Sequence, residues 1–101
     1  MEFDLNDKND WRVINCSTRA LDYPKDAEMA PNRKGVYLLL NDNNGVVCVG
    51  IASDSSIKEE IKTNSTIDKE REEVTTYRWF ITVNGETAER VGTDLIRKYL
   101  S

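Results

Sequence analysis

Histidine is absent from this chain of 101 residues, and cysteine occurs only twice, at Cys16 and Cys48. Together these absences exclude an imidazole general base and a thiolate–imidazole zinc site. An oxygen-ligated Mg²⁺ is left as the metal such a chain could hold. No apolar run approaches the roughly 18 residues needed to cross a bilayer. The opening Met-Glu-Phe-Asp-Leu-Asn-Asp lacks the basic-then-apolar pattern of a secretory signal, so a cytoplasmic location is expected, with both cysteines reduced. Positive charge is also short: 14 basic residues stand against 18 acidic ones, a net charge of −4. That sign is wrong for a protein that holds nucleic acid mainly through phosphates. No internal repeat, low-complexity tract or linker divides the chain, and its length suits one small domain with a single core.

Residues 1–10 are polar and acidic and read as a loose lead-in. Trp11, Val13 and Ile14 form a small apolar group, a short strand or helical turn that would anchor the first 30 residues on the core. Pro24 begins a new element, Lys25–Ala30 makes at most one helical turn, and Pro31 stops it. Further on, Ser55 or Ser56 can cap a helix over about Ser55–Thr63, with Ile57 and Ile61 on its inner face. Asn64–Glu73 is a loop or a short exposed helix. From Val74 to Val83 residues alternate, with Tyr77, Trp79, Ile81 and Val83 on one face and Thr76, Arg78 and Thr82 on the other; this is a strand. Phe80 breaks the alternation, so both faces must be partly covered. After Asn84-Gly85, the positions Ala88, Val91, Gly92, Leu95, Ile96 and Tyr99 form the apolar stripe of a final helix. Glu86 near its start and Arg97 and Lys98 near its end suit the helix dipole.

The centre of the pattern is Val36–Leu40 and Val46–Ile51, two apolar runs flanking Asp42-Asn43-Asn44-Gly45. Asn-Gly between β-rich runs signals a hairpin, because both residues tolerate positive φ. Gly35-Val36-Tyr37, ten residues, then Cys48-Val49-Gly50 resembles the paired-tripeptide signature of the GIY-YIG nuclease superfamily, with the first position of the second tripeptide altered. The resemblance spans residues 31–101 and implies a small α+β domain. It would have a three-stranded, mainly antiparallel sheet, made of the hairpin and a later strand, flanked by helices. Residues 1–30 would be a short N-terminal extension packing on that core.

The resemblance also implies a site built from two tyrosines, an arginine on the first helix and a glutamate on the last. The carboxylate would hold a hard divalent cation and the guanidinium would balance charge on a pentacovalent phosphate. Tyr37 matches the first tyrosine, and Cys48 stands where the second belongs; hairpin parity places the two on one sheet face. The arginine position falls on Glu60 or, by an ungapped count, on Lys58. The glutamate position, framed by Ala88 and Leu95-Ile96, holds Gly92. Asp94 lies about 200° around the helix from that position, which leaves Glu89 as the one replacement. The set Tyr37, Cys48, Lys58, Glu60, Glu89 and Gly92 therefore reads as a vestigial cleft, and no catalytic residue or cofactor is expected.

The leading expectation is a catalytically inactive, GIY-YIG-like domain acting as a protein-binding or regulatory module. A small inhibitor of a nucleic-acid-processing or defence enzyme, of phage or bacterial type, fits the size and charge. The partner would be a protein with a basic surface, held by Glu59, Glu60, Asp68, Glu70, Glu72 and Glu73 in a stretch, 54–73, with seven acidic and four basic side chains. Within it, the run Asp68-Lys-Glu-Arg-Glu-Glu73 is of a kind that most often forms a solvated face. One alternative is a divergent endonuclease using Tyr37, Lys58 and Glu89 with Mg²⁺. Another is a non-catalytic nucleic-acid binder using Tyr37, Lys62, Arg78 and Trp79. Tyr37, Cys48 and Trp79 each also read as ordinary core residues. No membrane association is expected, and a monomer or homodimer is.

Overall fold

The computed structural model describes residues 2–67 and 73–100. Strands β1 (Val13–Cys16), β2 (Leu21–Asp22), β3 (Gly35–Leu40) and β4 (Val46–Ala52) precede helix α1 (Ile57–Ile67). Strand β5 (Thr76–Thr82) and helix α2 (Gly85–Tyr99) follow. Two 3-10 helices, Leu5–Asn9 and Ala27–Met29, flank the first two strands. Among the described residues this is an α+β domain on an antiparallel sheet of five strands, ordered β1-β5-β3-β4 with β2 also paired to β5.

The sheet is larger than the three strands expected from the sequence, because the first 30 residues join it. β1 and β2 pair one after the other along the free side of β5, Asn15 opposite Ile81 and Leu21 opposite Tyr77. Their four- and two-residue lengths carry almost no periodic signal, and pairing with a long partner strand decides their conformation. Residues 2–9 are likewise no loose lead-in. Phe3 is buried, its N–H donates to the carbonyl of Asn44, and its ring lies 6.0 Å from that of Phe80. Asp4 and Asp7 pair with Lys98 near the end of α2, and the Tyr99 hydroxyl donates to Asp7 while accepting from the Asp4 N–H.

β3 is buried throughout, since it lies between β4 and β5 and both its faces are covered. Its alternation divides the core in two. Tyr37 and Leu39 meet Tyr77 and Ile81 of β5 and Ile57 and Ile61 of α1 on one side. Val36, Leu38 and Leu40 meet Phe80, Val91, Leu95 and Tyr99 on the other. The molecule is therefore three layers, α1 and the Ala27–Met29 turn, then the sheet, then α2. Phe80 interrupts the apparent alternation because it belongs to the α2 face, as its break in the pattern required.

Local chemistry sets the element ends. Ser56 caps α1 by accepting the Glu59 N–H, and Asn84 caps α2 by accepting that of Thr87. The hairpin turn uses the Asn41 side chain, which accepts the N–H groups of Asn43 and Gly45. Of the turn residues Asn44 alone takes a positive φ, 62°, so the Asn-Gly pair is not a two-residue turn with both members left-handed. Ile96, placed on the apolar stripe by spacing, is at its exposed margin.

Candidate functional site

Tyr37 and Cys48 do share a sheet face, as parity requires: Tyr37 lies opposite Gly50 and Leu39 opposite Cys48. Tyr37 is buried on the α1 side, its ring lying over Gly50 so closely that a β-carbon there would enter the ring. Cys48 packs half-buried against the same core. Lys58 and Glu60 are on α1, in the same layer; Glu60 is engaged by the Ser55 hydroxyl, which donates to its carboxylate at 3.1 Å.

The remaining members of the expected cleft are elsewhere. Gly92 faces the opposite side of the sheet, where an added β-carbon would stand 2.6 Å from Ile51 Cδ1 and 3.0 Å from Val36 Cγ1. The glycine is what lets α2 approach β3 and β4. Glu89 is on the outer face of α2 with Glu86, Thr93 and Asp94, not on Gly92's face. The 60° offset between positions 89 and 92 is enough to move the side chain from interface to solvent. The sheet thus separates Tyr37, Cys48, Lys58 and Glu60 from Gly92 and Glu89, and no single cleft holds them. Among the described residues no three Cys, Asp or Glu side chains cluster as a metal site would require.

The alternative nucleic-acid set is split in the same way. Trp79 packs half-buried on the α1 side, beside a 210 Å³ hollow shared with Ser17, Arg19 and Met29. Lys62 is paired with Glu28 at 2.5 Å. Arg78 is on the α2 side, its guanidinium 4.7 Å from the centre of the Phe3 ring. Nε and Nη1 of Arg78 are enclosed without hydrogen-bond partners among the described residues, and burial lowers its pKa. Of the acidic set, Glu59 is exposed at the first turn of α1 and Glu73 is exposed just before β5. Asp68, Glu70 and Glu72 lie outside the described residues.

A different surface collects the unpartnered apolar side chains. Trp11 is 89% exposed, Val83 70% and Ile14 56%. With Arg12, Thr87 and Arg90 they line a 320 Å³ groove between the edge strand β1 and the first half of α2. Trp11, expected to be an anchor on the core, is instead the most exposed large apolar residue among these. The core side of its segment is served by Val13, and Arg12 fixes the chain path by pairing with Asp10 at 2.7 Å and with Asp94 of α2 at 2.9 Å. Those carboxylates hold the Arg12 guanidinium above its ordinary pKa, Asp10 contributing most.

Two hollows continue the groove. One, of 450 Å³, runs over α2 past Glu86, Glu89 and Asp94; the other, of 440 Å³, runs past Asp7 and Asp10. Across the three, five carboxylates face two guanidinium groups, Arg12 and Arg90. Arg12 is spent on Asp10 and Asp94, and Arg90 on Glu86 at 2.8 Å. Glu89 makes no ion pair among the described residues. The sequence signal for this surface was the Trp-Arg-Val-Ile run; which of its apolar members faced outward depended on how β1 docked.

Comparison with protein-family models, with curated proteins and with solved structures finds no match to this chain.

Proposed function

We propose that this chain is a non-catalytic protein-binding domain, a GIY-YIG-like scaffold in chain order that does not carry the nuclease site. The observation that carries the reading is Trp11, 89% exposed within an apolar group that also includes Ile14 and Val83. Tryptophan so displayed is costly to leave in water and is enriched among residues that anchor protein interfaces. The division of the expected catalytic positions between the two sides of the sheet supports the same reading. So does the order hairpin, helix, strand, helix, with the hairpin's first strand at the sheet centre. The net charge of −4 suits a partner with a basic face. An inhibitor that occupies the nucleic-acid-holding surface of an enzyme is the regulatory role most consistent with that charge.

The test is a cleavage assay on single- and double-stranded DNA and RNA with Mg²⁺ or Mn²⁺, run beside Glu89→Ala. No cleavage of any substrate is expected. Metal-dependent cleavage lost in Glu89→Ala would establish the endonuclease alternative instead.

A further inference from the structure

The Trp11 groove has a definite chemistry, and we infer that it receives a basic protein segment whose apolar side chains seat between β1 and α2. This rests on the protein-binding reading and adds to it the place, the occupant and the mode of docking.

Three observations select the occupant. First, the groove floor is apolar and open, with Trp11, Ile14 and Val83 all more than half exposed, so apolar anchors gain by entering it. Second, the groove itself is lined by Arg12 and Arg90, but both are already paired within the chain, and its two continuations carry five carboxylates; even with Lys98 counted against Asp7, acid exceeds base by two, and Glu89 is left unpaired among the described residues. A second copy of the chain would bring the same acidic continuations against themselves, and phosphates would meet the same repulsion there. Lysines or arginines beside the anchors would instead meet Glu89 and the partly exposed Asp94. Third, β1 is ill suited to strand addition. It is four residues long, its pairing shifts between Val13 and Asn15, and the Asn15 side chain accepts the Cys16 N–H at 2.9 Å. Bulges and self-satisfied amides are how sheet edges avoid pairing with other chains. The occupant is therefore held through side chains, in the manner of a helix laid in a groove.

The experiment uses the full chain, ¹⁵N-labelled, titrated with synthetic 16-residue peptides. One is a basic amphipathic helix with Leu and Phe anchors at helical spacing and Lys and Arg elsewhere. A second exchanges its basic residues for Glu, a third exchanges its anchors for Ser, and a fourth keeps its composition in alternating, strand-like order. The helical basic peptide should bind and shift the Trp11 indole and the Ile14, Val83 and Arg90 amide signals. Its affinity should fall with salt, at least tenfold in Trp11→Ala, and severalfold in Glu89→Lys. The acidic and anchorless peptides should not bind. Trp11 and Glu89 are exposed, so neither variant threatens folding, and Val83→Ser supplies an independent check.

Binding that is unchanged in Trp11→Ala, with shifts at Glu59 and Glu60, would overturn the groove while leaving a protein-binding domain. Tighter binding of the alternating peptide with protection of the Ile14 amide would overturn side-chain docking in favour of strand addition. Dimerisation abolished by Trp11→Ala would give the groove to a second copy. Failure of every peptide to bind at millimolar concentration would overturn the assigned chemistry. Nuclease activity in the assay above would overturn the protein-binding reading itself.

Discussion

A side chain at position 92 would point into the interface between α2 and the sheet, and this decides what the glycine there does. The contacts with Ile51 and Val36 leave no room for a β-carbon unless the Ile51 side chain is displaced from its place between α2 and the sheet. Gly92→Ala should therefore lose about 1 kcal/mol, the overpacking cost exceeding the helix propensity gained. Gly92→Glu, which would restore the carboxylate that the GIY-YIG resemblance calls for, should lose at least about 3 kcal/mol, because the charge would be buried against apolar side chains without a partner. Urea unfolding measures both, and isothermal titration of the glutamate variant with Mg²⁺ should show no binding. Tight metal binding there would mean that the position opens to solvent. The sequence placed Gly92 correctly on the inner stripe of α2. It could not show that the stripe packs on the face of the sheet that Tyr37 does not occupy.

At the scale of elements, the N-terminal segment shows how local reading fails. Residues 2–9 have no apolar periodicity, and a single phenylalanine among acidic residues looks like a tail. In the structure Phe3 closes the α2 side of the core over Phe80 and Arg78. Lys98 and Tyr99 clamp the segment from the last turn of α2. Of these two attachments the apolar one should dominate. Phe3→Ala should destabilise by about 3 kcal/mol, whereas Lys98→Ala, which breaks solvent-accessible pairs, should cost about 1 kcal/mol or less. Equal losses in denaturant melts would show that the charges carry the strap. By contrast the hairpin, α2 and the Thr76–Thr82 strand were legible because each is long enough for its own periodicity. The helix over 55–63 ran four residues beyond its expected end, to Ile67, through polar residues whose pattern gave no stop.

For the molecule as a whole, the missing histidine shapes the response to pH. Arg12 holds Asp10 below the usual carboxylate range, Lys62 does the same for Glu28, and the Asn6 amide together with Lys98 does so for Asp4. A carboxylate with a depressed folded-state pKa contributes stability above about pH 4 that is lost as pH falls through the folded value. At the other end, burial raises the Tyr77 and Tyr99 hydroxyls to about 12. Tyr77 also donates to the Asp26 carbonyl at 2.6 Å. Their folded states bind the proton more tightly than the unfolded chain does, so stability declines as pH rises from about 10 through 12. No imidazole titrates between these limits. Thermal melts should show a plateau between about pH 5 and 9, with losses on both sides; a step near pH 6 to 7 would contradict the pairing described.

Composition and periodicity determined by themselves that this is an α+β domain built on a hairpin, with an apolar-striped final helix and an acidic surface. They also exclude imidazole chemistry, whatever the fold. These are properties of short windows and of sums over the chain, so they need no partner elements to be visible. Only the tertiary structure decided that the first 30 residues complete the sheet, that the two helices cover opposite faces, and that Trp11 points outward. Each of those outcomes depends on which strand finds which edge. That choice is made by burial across the whole sheet, where β1 and β2 gain their partners from β5, some sixty residues away in sequence.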